Sequence, residues 1–182
     1  MEEEAEEKII EETAEIRFTL DDYNDIFSDF DPRPMSERGL SEDFLSEAKR
    51  ACMDKYSEKI NFVILVPDKI RKPKDEEIIK ERLKKHFKKH HSLLKKKKNS
   101  VLKKGIGFWV TGVIIMVIAT ILLFEFKEKN IITSFFTILL EPAGWFLFWE
   151  GMHLVIFETK KTNPTLKFNE KMANASINFT SV

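Results

Sequence analysis

Three groups of residues have types and spacings that could do chemistry. The first lies in "ILLEPAGWFLFWEGMHLVIFE", 138–158, where Glu141, Glu150 and Glu158 interrupt an apolar run and Pro142 follows the first of them. A carboxylate inside lipid must be protonated, paired or facing water. Glu141, with Pro142 and Trp145 beside it, is therefore a candidate proton or cation site. The alternative is a carboxyl hydrogen-bonded within a packed bundle. Pro142 adds an irregularity, because its missing N–H leaves the carbonyl of Ile138 without a helical donor. The second group is the loop "FSDFDPRPMSERGLSEDFL", 27–45, in which Asp29, Asp31, Arg33, Glu37 and Arg38 crowd around two prolines. Such a loop can take a ligand or a partner, or its acids can simply cap turns and pair with its arginines. The third is "HFKKHH", which places His86 and His90 at i and i+4, a spacing that metals use. Crowded lysines and the lack of an acidic third ligand count against metal there. No phosphate-binding glycine loop, zinc spacing or nucleophile–base pattern occurs. We therefore assign no catalytic, cofactor-binding or metal residues, and a non-enzymatic protein is expected. The lone cysteine, Cys52, excludes an intrachain disulfide and reads as a small buried hydrophobe in a reducing compartment.

Membrane helices must position the first group. Residues 106–124 form a run of 19 without a charge, long enough at roughly 28 Å to cross a bilayer core of about 30 Å. After the short turn "EFKEKN", residues 131–149 give a second apolar run. Two runs so closely joined read as a hairpin over 105–158. The stretch 82–104 stacks cations before the first run, whereas the turn carries only Lys127 and Lys129. The positive-inside tendency then places both termini in the cytoplasm and the protein in the cytoplasmic (inner) membrane. Trp109, Trp145 and Trp149 fall in the cytoplasmic half, as interfacial tryptophans do. The sequons at Asn174 and Asn178 lie on the wrong side for glycosylation.

A packing register is legible inside the hairpin. Gly105, Gly112 and Ala119 recur every seven positions, as do Thr137, Gly144 and Gly151. Paired antiparallel about residue 128, small residues meet small residues at three depths, which close approach of lipid-embedded helices requires. A seven-residue repeat implies a left-handed crossing. In this register Glu150 sits at the cytoplasmic edge within reach of Lys103 and Lys104, an expected interfacial ion pair. Glu141 lies about 15 Å deep, ten residues from Ile131.

The soluble part is split around the hairpin. "EIRFTL" (15–20) alternates apolar and polar residues, "INFVILVP" (60–67) is continuously apolar, and "SINFTSV" (176–182) alternates again, so three strands are predicted. Between the first two, 40–56 reads as a helix capped by Ser41, with Leu40, Phe44, Leu45, Ala48 and Cys52 on one face. The expected fold is α+β: a small cytoplasmic β-α-β module over 15–72, completed by 160–182. An acidic segment, 1–14, precedes it. A basic amphipathic helix or stalk, 73–104, leads into the hairpin, and a tail with a strand, 159–182, follows. Charge is segregated accordingly, with net −11 over 1–67, +11 over 68–104 and zero thereafter. Acidic Glu2 to Glu12 and anionic inner-leaflet lipids are the expected competitors for the 82–104 cations. Nucleic acid is not expected, because basic residues beside a span are ordinarily topological.

The stretches "FSDFDPRPMSERGLSEDFL" and "ILLEPAGWFLFWEG" together resemble a family of uncharacterised prokaryotic membrane proteins. The resemblance implies a small cytoplasmic domain, a two-span hairpin and a short C-terminal tail, and it carries over no activity, cofactor or residue role. The reading is a membrane protein that acts by interaction and associates with itself. The alternative is an oligomeric ion or proton channel, or a membrane-perturbing effector, using Glu141.

Overall fold

The computed structural model describes residues 13–54, 57, 59–125 and 130–182. The acidic segment up to Glu12 and the centre of the turn near residue 128 lie outside the described residues. The chain is α+β and mostly helical. It divides into two compact units: the chain up to Leu93 together with Pro164–Val182, and Leu94–Asn163.

The first unit is built on three parallel strands in the order β1 (Thr13–Thr19), β2 (Lys59–Val66), β3 (Ser176–Ser181). The registers Ile16↔Phe62↔Ile177 and Phe18↔Ile64↔Phe179 align apolar side chains on one face. Because side chains alternate along a strand, the other face carries Glu15, Arg17, Asn61 and Asn178. There Asn178 Nδ2 donates to Asn61 Oδ1 at 3.0 Å.

Parallel pairing demands crossovers, and those helices cover the apolar face. Helix α1 (Glu42–Met53) is started by Ser41, whose hydroxyl accepts from Phe44 N, with Glu42 and Asp43 in the favourable first turn. It buries Phe44, Ala48 and Cys52, and the Phe44 ring meets Phe18 and Phe62 edge-on. Helix α2 (Pro73–Glu125) begins at a proline, whose missing N–H costs nothing in a first turn. Its residues Ile79, Leu83 and Phe87 are fully buried. Phe168 and Met172 of α4 (Thr159–Asn174) complete the layer, Phe87 and Phe168 meeting edge-on at 5.5 Å.

Two features differ from the division expected along the sequence. Residues 73–87 are core of the module rather than a connector, because the apolar stripe faces the sheet; it stops at Phe87, and His90 is exposed. The C-terminal segment contributes a helix as well as a strand. Pro164 sits inside that helix, and the Asn169 amide donates to the Thr165 carbonyl at 2.8 Å.

In the second unit the later part of α2 and α3 (Ile131–His153) run antiparallel, and α3 continues through a π-helical turn, Leu154–Glu158, into α4. The apolar part of α2 makes it a helix long and apolar enough to cross a membrane, and only 11% of that stretch is buried.

Candidate functional site

In parallel sheets ligands favour the carboxyl ends of the strands. Here that end is closed. The Tyr23 hydroxyl donates to Glu76 Oε1 at 3.0 Å and accepts from Lys72 N at 3.1 Å. Arg71 grips the same carboxylate with two bonds, Nε to Oε1 at 2.9 Å and Nη2 to Oε2 at 3.0 Å, and reaches the Phe179 carbonyl at 3.3 Å. Arg71 therefore holds the Glu76 carboxyl below its ordinary range, against the opposing effect of burial. Burial pushes the Tyr23 hydroxyl up. The network ties the loops after β1 and β2 to the end of β3.

An open, charged cleft lies elsewhere in the same unit, between the 27–40 loop and the first part of α2. Its volume is about 310 Å³. The loop contributes Arg33, Ser36 and Glu37. One stripe of α2 contributes Arg82, Lys85, His86, Lys89 and His90, whose spacings of three and four put them on one helical face.

The loop is stiffened from within. Its ends are joined by the antiparallel bridge Phe27↔Leu40, with Ser28 N donating to Gly39 O and Ser41 N to Ile26 O, both at 2.9 Å. Asp31 is the internal hub, accepting from Gly39 N at 2.6 Å and from Arg33 Nε and Nη2 at 2.9 and 2.7 Å. These donors, Arg33 foremost, hold the Asp31 carboxyl well below the usual carboxylate range. Arg38 donates to Ser28 O at 2.9 Å and Asn24 Oδ1 at 2.8 Å, and lies over the Phe27 ring. Asp31 and Arg38 thus hold the loop's shape, and Asp29 is exposed at 3.8 Å from Arg38. Of the five loop residues singled out in the sequence, Arg33 and Glu37 line the cleft.

The opposite wall is fixed by Arg82, whose Nε donates to the Arg38 carbonyl at 3.0 Å. Its terminal nitrogens have no partner among the described residues. Burial and the neighbouring Arg33 both act against its charge. His86 and His90 stack with centroids 4.2 Å apart. Burial first, then His90, Arg82 and Lys89, push the His86 imidazole down to about 4, so it is neutral at pH 7. No group of three or more potential metal ligands occurs among the described residues. Arg82, Lys85 and Lys89 were not separated in the sequence from the other cations of 82–104. The usable signal was their phase, on the flank of the Ile79–Leu83–Phe87 stripe.

In the second unit the small residues meet closely. A Cβ on Gly112 would lie 2.6 Å from Phe148 N and 2.7 Å from Gly144 O, and one on Gly105 would lie 3.0 Å from Gly151 O. Ala119 is buried, and Thr137 is half-buried. Glu150 does not reach Lys103 or Lys104: no ion pair joins them among the described residues, and both lysines are exposed. The rotation that seats Gly151 against Trp109 and Gly105 turns Glu150 into an apolar groove of about 300 Å³ beside Phe146, Trp149 and His153. Glu141, Pro142 and Trp145 are all exposed on the outer surface of α3. Trp145 stacks on Phe148 with centroids 6.0 Å apart. Glu141 makes no hydrogen bond or ion pair among the described residues.

No family model matches the chain, and neither a curated protein nor a solved structure matches it.

Proposed function

We propose that the protein is a two-span membrane protein whose split α+β module is a non-enzymatic binding unit on one side of the bilayer. The observation that carries this is the pairing of β3 with β2 in one sheet. Residues 67–175 connect those neighbouring strands, so a chain that leaves through α2 has to return to the side it left. A single crossing by α2 would strand β3 across the bilayer; α3, apolar along most of its length, supplies the return. The outward-facing Ile114, Ile121, Ile132, Ile138 and Phe146 support the same reading, since such apolar exposure suits lipid rather than water. Cations concentrated at 82–104 favour a cytoplasmic module and contact with anionic inner-leaflet lipid.

Self-association is part of the proposal and is supported by Glu141. An outward, unpartnered carboxylate within a hydrocarbon layer costs about 2.5 to 3.5 kcal/mol or more, and a second copy of α3 offers it a hydrogen-bonding neighbour. Two tests follow. Alkaline extraction should leave the full chain in the membrane; release into the supernatant would sink the two-span reading. Glu141→Gln should keep the oligomer in mild detergent, and Glu141→Leu should weaken it by about 0.6 to 2 kcal/mol. Cation or proton flux in liposomes that disappears in Glu141→Gln would replace this account with the channel.

A further inference from the structure

The cleft between the 27–40 loop and α2 has the composition of an anion site whose anion is supplied from outside. Arg33, Arg82, Lys85 and Lys89 place four permanent cations around about 310 Å³, with Glu37 the one acid in the lining among the described residues. Asp31 is already committed to Arg33 and Gly39. Arg82 is half-buried and anchored by its Nε to a backbone carbonyl, which leaves its planar fork fixed and its terminal N–H groups available. Neither Lys85 nor Lys89 has an ion-pair partner among the described residues. Like charges gathered in this way repel, and an anion that joins them relieves that repulsion.

We propose that this cleft binds a phosphate dianion, the terminal group of a small phosphomonoester or a diphosphate, clamped between the Arg82 and Arg33 guanidiniums with Lys85 and Lys89 at the mouth. With Asp31 on Arg33 and Glu37 in the lining, the cations keep an excess of two positive charges, which a dianion matches and a single carboxylate does not. The cleft volume suits a group of small-metabolite or headgroup size rather than a polymer, near the lower end of about 300 to 1,000 Å³ for ligand pockets. His86 couples the site to protons. It faces Arg82, Lys85, Lys89 and His90 from its own helix and Arg33 and Glu37 from the loop, and an arriving dianion reverses the local field. The imidazole in the complex then holds a proton to higher pH than in the free protein and becomes a further donor. This inference rests on the reading of the module as a binding unit.

The test uses the full chain in phosphatidylcholine nanodiscs, titrated calorimetrically at physiological salt with inorganic pyrophosphate and with glycerol 3-phosphate. Binding should weaken about tenfold or more in Lys85→Gln/Lys89→Gln, which touches no side-chain hydrogen bond among the described residues. It should be nearly unchanged in Lys84→Gln/Lys88→Gln, which removes the same charge from exposed positions off the cleft. The His86 ring resonance should titrate at higher pH when pyrophosphate is present. Equal weakening in both double variants, an unmoved His86 titration, or no binding of either probe would overturn the proposal. Repeating the titration in nanodiscs containing phosphatidic acid separates the sources. Weaker apparent binding there identifies a lipid headgroup as the competitor, and unchanged binding identifies a soluble phosphate; either result supports the site. Release of inorganic phosphate from pyrophosphate, lost in the cleft variant, would support the site while contradicting the non-enzymatic reading of the module.

Discussion

Adding one methyl group at Gly112 should open the helical pair of the second unit. The new Cβ would lie 2.6 Å from Phe148 N and 2.7 Å from Gly144 O, about 0.8 Å short of the 3.4 Å at which ordinary contact begins. Both obstacles are backbone, so no rotamer change relieves them, and the helices must separate along several residues. Overpacking of this kind costs about 1 to 3 kcal/mol. Gly151→Ala meets Trp109 N and, at 2.6 Å, Gly105 O, and should cost at least as much. At Gly144 the nearest atom is Met116 Cγ at 2.8 Å, a side-chain atom that a rotamer change can move, and the nearest backbone atom, Gly112 O, is farther away at 3.1 Å, so the loss there should be smaller. Gly107 is the internal control, because nothing lies within 4 Å of its would-be Cβ. The three tryptophans of the chain, Trp109, Trp145 and Trp149, all belong to this unit. Tryptophan fluorescence during denaturant unfolding of the full chain in detergent therefore reports the pair directly. Equal losses in Gly112→Ala and Gly107→Ala, or an unaffected Gly112→Ala, would refute the close-approach argument.

Tyr23→Phe should destabilise the module by about 1 to 2 kcal/mol, since it strips a buried hydroxyl bond from Glu76 and leaves the Lys72 N–H without its acceptor; Glu76→Gln should cost more, and chemical denaturation followed by circular dichroism measures both. Glu76 also makes stability pH-dependent: its folded pKa is depressed, so its contribution is complete above the ordinary carboxylate range and is lost as pH falls through the depressed value. His86 acts in acid with the same sign. Between its unfolded value near 6.5 and its folded value of about 4 only the unfolded chain takes the proton, so stability falls as pH drops across that window. Solvent screening of this half-buried ring limits the effect to about 1 to 2 kcal/mol. In His86→Gln the slope between pH 6.5 and 4.5 should flatten, and an unchanged slope would show that other groups cause it.

The strands were legible because each carries its own burial pattern: alternation in β1 and β3, a continuous apolar run in β2. Helix α1 was legible from Ser41 and one apolar face. Helix α4 was not, because its anchors are sparse, Phe168 and Met172, and Pro164 lies inside it. The role of 73–87 was hidden for another reason. A stripe of Ile79, Leu83 and Phe87 says that a face is buried, and only the tertiary fold says that it is buried against this sheet. The cleft was half visible. Arg33 and Glu37 stood out in the loop, and His86 and His90 by their spacing. What joins them is a contact between residues 44 apart in the chain, Arg82 to the Arg38 carbonyl, and no local pattern encodes it. The structure forms no Glu150 ion pair among the described residues: about 100° per residue separates the face of Gly151 from that of Glu150, a rotation that depth along an ideal helix pair does not convey.

The central claim is that the chain leaves and re-enters one module on the same side of a bilayer. It is tested most directly by single cysteines at Asn99, Asn130 and Lys160 in a Cys52→Ala background, probed in intact cells with a membrane-impermeant maleimide. Asn130→Cys should label from outside, and Asn99→Cys and Lys160→Cys only after the membrane is permeabilised. Labelling of Asn130→Cys and Lys160→Cys from the same side, with Asn99→Cys on the other, would contradict the account.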